Sequence, residues 1–343
     1  MTRGVTVAVD ANGADLGPAE VAAGAATAAA QGVRVLLFGP ADQLGVPAPG
    51  VEIVDAPASV AKAADPARAV RASPDSSIVR AVRAVGDGRA DAFVSGGSTG
   101  AALAAGLFNV KRGRGVHRPA LAAAVPVPGH PVTLLDVGAN AEVRPEHLVQ
   151  FAFMGAALSS VVLGVASPRV GLLSNGEEAT KGTALVREVH AQLAAVRGLN
   201  WIGNVEGTDL TSGKADVIVA DGFTGNVALK ALEAASQATL GAVRAAATSG
   251  ARARLGGLML KPALRSVRDE VDPENAGGAY LLGLRHLGVV PHGRFTRYGF
   301  SQAILLAARG VSGDVVGRTH AALEAAGALR PSTQASDASP SVA

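Results

Sequence analysis

The amino-acid sequence predicts an α/β protein: a Rossmann-like three-layer α/β/α fold built on a mostly parallel, doubly wound β-sheet. Short runs of apolar and β-branched residues alternate with alanine-rich, helix-like stretches, and each run ends in a loop that contains Gly, Asn or Ser. Such repeats favour parallel strands joined by right-handed crossovers. The composition agrees, because 48% hydrophobic but only 3% aromatic residues, with 43 glycines, suit close packing of small side chains and many tight loops.

Seven segments are predicted to be strands, because each is a short apolar run bounded by turn-forming residues. In chain order they are Val5–Val9, Val33–Phe38, Ala92–Ser95, Val132–Asp136, Arg169–Leu173, Trp201–Asn204 and Val217–Asp221. Ligands of doubly wound sheets bind at the carboxyl ends of strands. The loops after these segments are therefore where a site is expected.

One long apolar segment is either a membrane span or a buried helix. Residues 148–165 carry no charge over 18 positions, the lower limit for a transmembrane helix. The segment contains Gln150, Ser159 and Ser160 and lies between predicted strands of one sheet. It is therefore predicted to be a helix buried in the core or in a dimer interface.

A helical hairpin extension is predicted at about residues 230–268. It contains a long alanine-rich pattern and then intermixed apolar and basic residues: Leu255, Leu258, Met259 and Leu260 among Arg252, Arg254, Lys261 and Arg265. Such a surface suits contact with anionic lipid, but the sequence alone favours an ordinary helical hairpin, for which a subunit contact is one location. Residues 1–330 are predicted to be a single domain and the polar residues 331–343 a disordered tail.

Several patterns that mark other classes of protein are missing from the sequence. There is no cysteine, which excludes disulfides, thiolate metal sites and a cysteine nucleophile. The seven histidines form no H-x-x-x-H or H-E-x-x-H pattern, so no metal site is predicted. No complete G-x-G-x-x-G or Walker loop occurs, so no nucleotide cofactor is predicted. The N-terminus enters a strand without a secretory signal, and a cytoplasmic location is expected.

Basic residues cluster in the middle of the chain, at Lys111, Arg112, Arg114, His117 and Arg118. The formal net charge is only +3, and no aromatic residues interleave with the cluster, so binding of nucleic acid is not predicted. Two interpretations stay open: a solvated loop, or a docking surface for an acidic protein partner.

The strongest candidate site is the loop after the third predicted strand, which opens an alanine-rich helix. It consists of Ser95, Gly96, Gly97, Ser98, Thr99 and Gly100. Glycines let the backbone approach an anion, and the free amides and dipole of a helix N-terminus favour negative charge. The loop is therefore predicted to bind phosphate. The alternative is a helix N-cap without a ligand.

The sequence around this loop recurs later in the chain, and we call this recurrence the sequence echo. Residues 90–100 read ADAFVSGGSTG and residues 215–225 read ADVIVADGFTG. Both are predicted to be a strand, a glycine turn and a helix N-terminus, and the two loops could face each other across one cleft. Chance similarity in a Gly/Ala-rich chain is the alternative, and no larger repeat is evident.

Polar residues gather at other strand ends as well, and their recurrence suggests a single lined cleft. They are Asp10, Asn12, Gly13 and Asp15; Asp136, Gly138 and Asn140; Asn175, Glu177, Glu178 and Lys181; Asn204 and Glu206; Asp221, Gly222, Thr224, Gly225 and Asn226; and His292 in a Pro-His-Gly loop. Carboxylates beside an anion site would repel phosphate, so Asp10 and Asp15 are expected to hold backbone amides, cap a helix or receive a proton.

Taken together, these loops resemble the phosphate acyltransferase (PlsX) family of bacterial phospholipid synthesis. The matching blocks, in order, are VAVDANGADLGP, PDSSIVRAV, VSGGSTGA, LLDVGAN, SNGEEATKG, GNVEGTD, DGFTGNVALK, GGAYLLGL and PHG. The resemblance covers about residues 5–320. The chain departs from the family pattern at Asn12 and Ala14, at Ala276, and at Arg294 with Phe295.

The resemblance implies an acyltransferase that moves a fatty acyl group from acyl carrier protein to inorganic phosphate. The acyl phosphate would then serve a membrane glycerol-3-phosphate acyltransferase in phospholipid synthesis. The resemblance also implies a homodimer without a cofactor and transient contact of residues 255–265 with the membrane surface.

On this hypothesis the Ser95–Gly100 loop and Lys181 hold phosphate, donors such as Asn140, Asn175 or Asn226 stabilise the thioester oxyanion, and His292 or Lys181 protonates the thiolate. Alternatives are a diverged paralogue acting on another acyl thioester, a dehydrogenase on the related fold, and a non-catalytic scaffold that binds acyl carrier protein or the membrane.

Overall fold

The structure, a computed structural model, describes residues 4–330 except Pro126 and Pro128. In this part of the chain, eleven strands form one sheet: β1 (Thr6–Asp10), β2 (Arg34–Gly39), β3 (Val51–Asp55), β4 (Ala92–Ser95), β5 (Ala120–Val125), β6 (Val132–Leu135), β7 (Arg169–Leu173), β8 (Asn200–Val205), β9 (Val217–Val219), β10 (Ala279–Leu282) and β11 (Leu287–Val290). The predicted tail lies outside the described residues.

The α-helices of the described chain are α1 (Pro18–Ala29), α2 (Ala41–Leu44), α3 (Pro66–Ala72), α4 (Ser77–Gly86), α5 (Thr99–Asn109), α6 (Pro145–Val162), α7 (Ala184–Ala195), α8 (Gly222–Thr248), α9 (Ala251–Glu270), α10 (Pro273–Ala276), α11 (Arg297–Ser312) and α12 (Val315–Ala325). Several begin at a side-chain N-cap: the side chains of Asp65 and Thr183 accept hydrogen bonds from the amides of Arg68 and Val186.

The sheet has helices on both faces, as the three-layer prediction requires. Alternate residues of one strand enter different cores: Val7 and Val9 of β1 pack in one cluster of buried side chains, and Ala8 packs in the other. Both faces of each central strand are therefore apolar, which explains why the strands read as continuous apolar runs. The predicted α/β/α fold is confirmed.

The sheet is built from two halves that run in opposite directions. The strand order is β3-β2-β1-β4-β11-β10-β5-β6-β9-β7-β8. Strands β1 to β4 and β11 are parallel to one another, β10 and β5 pair antiparallel at the centre, and β6 to β9 are parallel to one another. Most strand pairs are thus parallel, as predicted. The register places Val94 of β4 level with Leu135 of β6, so the carboxyl ends of the two oppositely directed halves approach each other near the middle of the sheet.

The two halves are related by an approximate twofold symmetry. The series β2-β1-β4-β11-β10 and β8-β7-β9-β6-β5 match in order and in strand direction. The β5–β6 hairpin follows β4 in the chain but completes the second half, and β10–β11 follows β9 but completes the first. The fold therefore contains a repeat in which the two hairpins are exchanged.

The sequence echo belongs to this larger repeat. Asp91 precedes β4 and accepts a hydrogen bond from the Thr6 amide at the start of β1, at 2.8 Å. Asp216 precedes β9 and accepts one from the Arg169 amide at the start of β7, at 2.7 Å. The two aspartates thus make the same contact in the two halves. Chance similarity is not a sufficient explanation of the echo.

Four strands of the sheet were not predicted: β3, β5, β10 and β11. The sequence of β5, ALAAAV, has the composition of a helix, and β10 and β11 have only four residues each. Strand β9 ends at Val219 rather than at Asp221, because the Asp221 side chain caps α8. Central position in the sheet, rather than local propensity, makes the alanines of β5 extended.

The apolar segment at residues 148–165 forms most of α6. Its Leu148, Phe151, Met154 and Leu158 are buried in the core. Among the described residues, no helix has both the length and the apolar character needed to cross a bilayer. The prediction of a buried helix is confirmed.

The predicted hairpin extension is present as α8 and α9, which pack against each other. No residue of α9 is buried, and Leu255, Leu258, Met259 and Leu260 are between 58% and 78% exposed. In the isolated chain the hairpin therefore presents an uncovered apolar surface.

Candidate active site

The predicted phosphate loop lies where β4 passes into α5. The Ser98 side chain accepts a hydrogen bond from the Ala101 amide at 3.1 Å, so it caps α5 with a neutral hydroxyl. Thr99 begins the helix and lines a cavity. The alternative interpretation, a helix N-cap, therefore also holds. Because the capping group is a hydroxyl, no carboxylate neutralises the positive end of the helix dipole.

Asp10 supports this loop from below. Its buried carboxylate accepts hydrogen bonds from the Ser95 hydroxyl at 2.7 Å and from the Asn12 amide at 3.1 Å. Burial raises the pKa of Asp10 to about 6, against which the hydrogen bonds act. The Asn12 side chain donates to the Ala56 carbonyl and the Ser77 hydroxyl. Asp10 and Asn12 thus hold the backbone in place, as was expected of the carboxylate.

Glycine is required where this loop meets its neighbours. A Cβ on Gly13 would lie 2.9 Å from the Gly97 Cα, and a Cβ on Gly96 would lie 2.7 Å from the Phe300 ring. Gly293 approaches the Gly96 carbonyl in the same way, and the Asp15 amide donates to the Gly293 carbonyl at 2.7 Å. The ends of β1, β4 and β11 therefore form one tightly packed edge.

A second polar cluster surrounds Asp136, which follows β6. Its carboxylate is fully buried and accepts hydrogen bonds from four backbone amides: those of Leu121, Gly138, Ala139 and Asn140. Burial raises its pKa, although these donors oppose the effect. The Asn140 side-chain amide donates to Asp136 at 2.8 Å and to the Pro119 carbonyl at 2.7 Å. The amide hydrogens of Asn140 are thus donated to groups inside the protein, and Asn140 suits a positioning role better than oxyanion binding.

The start of α8 packs directly on this cluster. A Cβ on Gly222 would lie 2.6 Å from the Asn140 carbonyl oxygen, and one on Gly225 would lie 2.0 Å from the Asp136 carbonyl oxygen. The two glycines are therefore fixed by close approach of backbones.

A cavity of about 330 Å³ lies over the central antiparallel strands, between α5 and α8. Its floor is made of small side chains such as Ala123 of β5 and Ala279 of β10, which leave room for a ligand. The predicted site residues that line it are Thr99, Gly138, Asn226 and His292. This central cleft is thus where both halves of the sheet contribute residues.

Two charged residues of α8, Lys230 and Glu233, also line the central cleft, although neither was predicted as a site residue. Lys230 and Glu233 follow Asn226 by one and two helical turns. Glu233 Oε1 lies 3.3 Å from His292 Nε2, and Arg294 lies 3.6 Å from the other carboxylate oxygen. The hydrogen bond with His292 keeps the pKa of Glu233 below its ordinary value. Lys230 ends the DGFTGNVALK block and Glu233 lies three residues beyond it on the same helix, a signal that was available in the sequence.

Lys181 and its neighbours lie elsewhere, at the carboxyl edge of β7 and β8. Lys181 is exposed and does not line the central cleft. Glu177 pairs with Lys214 at 2.6 Å, not with Lys181. The Glu178 carbonyl accepts a hydrogen bond from the Asn204 side chain at 3.0 Å. Glu206 begins the 3-10 helix Gly207–Leu210, where its amide donates to Asp209 at 2.8 Å.

The remaining predicted residues line a separate cavity of about 530 Å³ between α7 and α8. Asn175, Asp221 and Thr224 contribute to it, and Asn175 accepts a hydrogen bond from the Gly182 amide at 2.9 Å. The Asp221 carboxylate accepts from the Thr224 amide at 2.8 Å and from its hydroxyl at 2.7 Å. In one chain these residues are therefore not brought together with the phosphate loop.

Within the described residues, one trio has the spacing of a metal site: His117, Glu146 and His147. Burial and the nearby arginines, among them Arg144, lower the pKa of both histidines. Since the surroundings are positively charged, they oppose a cation.

Comparison with known proteins identifies the family. A family model described as "Fatty acid synthesis protein" matches residues 5–318. The phosphate acyltransferase of Streptococcus equi subsp. zooepidemicus is 43% identical over 319 residues, which cover 91% of this chain and 95% of the relative. That of Geobacillus thermodenitrificans is 41% identical over 326 residues, covering 93% and 99%.

Solved structures with the same fold include a phosphotransacetylase from Streptococcus pyogenes, with a TM-score of 0.61 and 16% identity, covering 91% of this chain and 95% of the other. A branched-chain phosphotransacylase from Enterococcus faecalis has a TM-score of 0.58 and 16% identity, covering 90% and 99%. At such identities the likeness concerns the fold alone. The family model and the relatives confirm the resemblance seen in the sequence: the chain is an acyltransferase enzyme that belongs to the phosphate acyltransferase family.

Proposed function

We propose that this enzyme transfers a fatty acyl group from acyl carrier protein to inorganic phosphate in the central cleft. The observation that carries the proposal is the meeting of three groups around that cleft: the N-terminus of α5 at Thr99, the Lys230 ammonium, and the His292–Glu233 pair. The first two attract an anion, and the third can hold and deliver a proton.

Phosphate binds between the amides at the start of α5 and Lys230. The loop offers backbone donors, the Thr99 hydroxyl and a helix dipole that no carboxylate neutralises. Held there, a phosphate oxygen attacks the thioester carbonyl carbon locally rather than from dilute solution. Asp10 and Asp136 act as positioning residues, because each holds the backbone of a cleft-lining loop from a buried position.

The transfer then proceeds through a tetrahedral intermediate. A new bond joins the phosphate oxygen to the carbonyl carbon, and Asn226 and Lys230 stabilise the oxyanion. Collapse of the intermediate breaks the carbon–sulfur bond and releases the carrier thiolate, which takes a proton from His292. The imidazole regains a proton from the hydrogen phosphate group that attacked, which leaves the acyl phosphate as a dianion. Glu233 orients the imidazole for this step, as in other carboxylate–histidine pairs.

The carrier protein docks on the basic groove at the C-terminal end of α5. This groove is lined by five cationic residues: Lys111, Arg112, Arg114, Arg285 and Arg330. An acidic carrier protein is complementary to it in charge. The groove lies one length of α5 from Thr99, about 15 Å at 1.5 Å per residue. Reversal of Arg112 and Arg114 to Glu raises KM for the carrier protein and flattens its salt dependence, while KM for phosphate stays the same.

A matched reversal of Arg252 and Arg254 in α9 controls for the change in net charge. If that control raises KM for the carrier protein and the reversal of Arg112 and Arg114 does not, the docking surface lies on the hairpin.

The exposed apolar face of the hairpin supports two further proposals: a homodimer, and transient contact with the inner face of the membrane. There a glycerol-3-phosphate acyltransferase consumes the acyl phosphate for phosphatidic acid synthesis. Leu258→Glu with Met259→Glu removes binding to anionic vesicles if the face meets lipid, and dissociates the dimer in sedimentation if the face meets a second copy.

The activity is tested by incubating the purified enzyme with palmitoyl-acyl carrier protein and phosphate. Acyl phosphate is trapped as the hydroxamate, and free carrier thiol is measured in parallel. The proposal requires equal amounts of the two products and no thiol release when phosphate is omitted. Phosphate-independent thiol release contradicts it. Faster turnover of palmitoyl-CoA than of the carrier thioester assigns the enzyme to another acyl pathway.

A further inference from the structure

A groove of about 210 Å³ continues from the central cleft between α8 and the end of α9. Leu229, Glu233 and Pro273 line both the groove and the cleft, so the two spaces adjoin. A molecule whose reactive group lies beside Glu233 can therefore extend into the groove without leaving the protein surface.

The chemistry changes along this path. The cleft end carries Asn226, Lys230 and His292. Six of the eleven residues that line the groove are apolar, namely Val125, Leu229, Leu232, Leu240, Val271 and Pro273, and the others include Arg268 and Asp272. A polar reaction centre followed by an apolar groove matches a ligand with a charged head and a hydrocarbon tail.

One helix provides most of the path. Leu229, Leu232, Ser236 and Leu240 recur at helical spacing, so they form one stripe along α8. From Asn226 to Glu233 the helix rises about 10 Å, and from Glu233 to Leu240 it rises about 10 Å more. The reacting groups and the groove are thus held at a set separation by a continuous helix.

We propose that the acyl chain of the substrate lies in this groove, and that Ser236, Gln237 and Leu240 determine which chain lengths are used. The inference rests on the proposed function, since it takes an acyl group as the ligand of the central cleft. Burial of each further methylene in the groove raises kcat/KM about fourfold until the groove is full, at ~0.8 kcal/mol per methylene.

The test replaces Ser236 with Phe, which puts a benzyl group into the groove. The measured quantity is the ratio of kcat/KM for palmitoyl and butyryl thioesters of acyl carrier protein. We expect Ser236→Phe to lower this ratio roughly 60-fold, the loss of about three buried methylenes, with the butyryl value nearly unchanged. The matched control is Ala238→Phe, on the same helix but exposed and outside the groove, which should leave the ratio unaltered.

A second variant tests the opposite direction. Gln237→Leu extends the apolar lining and should raise the ratio several-fold. Equal losses for both thioesters in Ser236→Phe, or a ratio that neither variant changes, overturn the inference. A changed oligomeric state with an unchanged ratio does so too, because the groove would then be covered by a second copy of the chain.

Binding of alkylphosphonates separates this inference from the proposed function. If the wild-type enzyme forms no acyl phosphate from any donor, the proposed function fails. Calorimetry with hexadecylphosphonate and butylphosphonate still measures binding of an alkyl chain in the groove. Tighter binding of the longer compound, lost in Ser236→Phe and kept in Ala238→Phe, supports the inference. Equal affinity for the two compounds in the wild type contradicts it.

Discussion

The loop after β4 in the first half of the sheet and the loop after β9 in the second occupy equivalent places in the fold, but they differ in what caps the following helix. Helix α5 is capped by the neutral Ser98 hydroxyl, whereas α8 is capped by the Asp221 carboxylate, whose oxygens accept from Thr224. A carboxylate offsets the positive end of the helix dipole and repels an anion. The hydroxyl cap leaves the positive end of α5 available to an anion, whereas the carboxylate cap offsets that of α8, so we expect anion binding in the first half.

The second loop contributes to the cleft in another way. Helix α8 is much longer than α5, with 27 residues against 11. It begins at the Asp136 cluster and passes the His292 loop, so that Lys230 and Glu233 line the cleft between them. The first half supplies a helix end, and the second supplies side chains from a helix face.

The largest expected effect concerns the equivalent glycines Gly225 and Gly100. A Cβ on Gly225 would lie 2.0 Å from a backbone oxygen of Asp136, whereas on Gly100 its nearest neighbour is the Pro66 ring at 3.0 Å. Gly225→Ala should cost more than about 4 kcal/mol of unfolding free energy or prevent folding, and Gly100→Ala should change it by less than about 1 kcal/mol. Urea denaturation measures both, and equal costs would show that the two helix starts are equally constrained.

The next prediction compares a lysine of each region. Lys230→Met removes the cation of the central cleft and should lower kcat/KM by about 10²–10³-fold, the usual cost of losing one electrostatic stabiliser of the transition state. Lys181→Met, at the other edge of the sheet, should change it by less than about threefold if one chain forms the whole site. Steady-state kinetics of each variant measures kcat/KM, and a thermal melt of each shows whether the variant is folded. The opposite ranking would restore Lys181 to the role that the sequence predicted.

The third prediction follows from the pKa of Asp10. Because burial raises this pKa from 3.8 to about 6, the folded state prefers the protonated acid. Its contribution to stability is complete below pH 4 and is lost as the pH rises through about 6, a change equivalent to ~3 kcal/mol. Asp10→Asn cannot titrate and should flatten the pH dependence of Tm between pH 4 and 8. Parallel curves of Tm against pH for the wild type and the variant would contradict the raised pKa of Asp10.

The smallest effect separates the two hydroxyls of the phosphate loop. Ser98→Ala removes the N-cap of α5 and should cost about 1 kcal/mol of stability, as N-caps generally do. Thr99→Val, whose side chain lines the cleft, should raise KM for phosphate and leave Tm nearly unchanged. If phosphate kinetics do not respond to either change, even combined, the loop caps a helix and does not bind the substrate.

Much of the fold was predictable because its signals are local. Ala92–Ser95 and Arg169–Leu173 are strands at the predicted residues, and α6 is the buried helix expected from residues 148–165. The site was predictable only in part. Thr99, Gly138, Asn226 and His292 meet in the cleft, but Lys181 and Asn175 lie at another edge. Their motifs look alike in sequence, since each follows a strand end.

The sequence by itself determined seven strands, the buried helix α6, the helical hairpin, the helix starts after β4 and β9, and the family that the chain resembles. These properties depend on neighbours a few residues apart. Only the tertiary structure decided that the central strands pair antiparallel, in a register that brings the carboxyl ends of the two halves to the same level near the middle of the sheet. That choice depends on which distant strand supplies the hydrogen bonds of β5 and β10. Lys230 and Glu233 of α8 therefore line the cleft at this level, whereas Lys181 follows β7, which lies three strands away from β5.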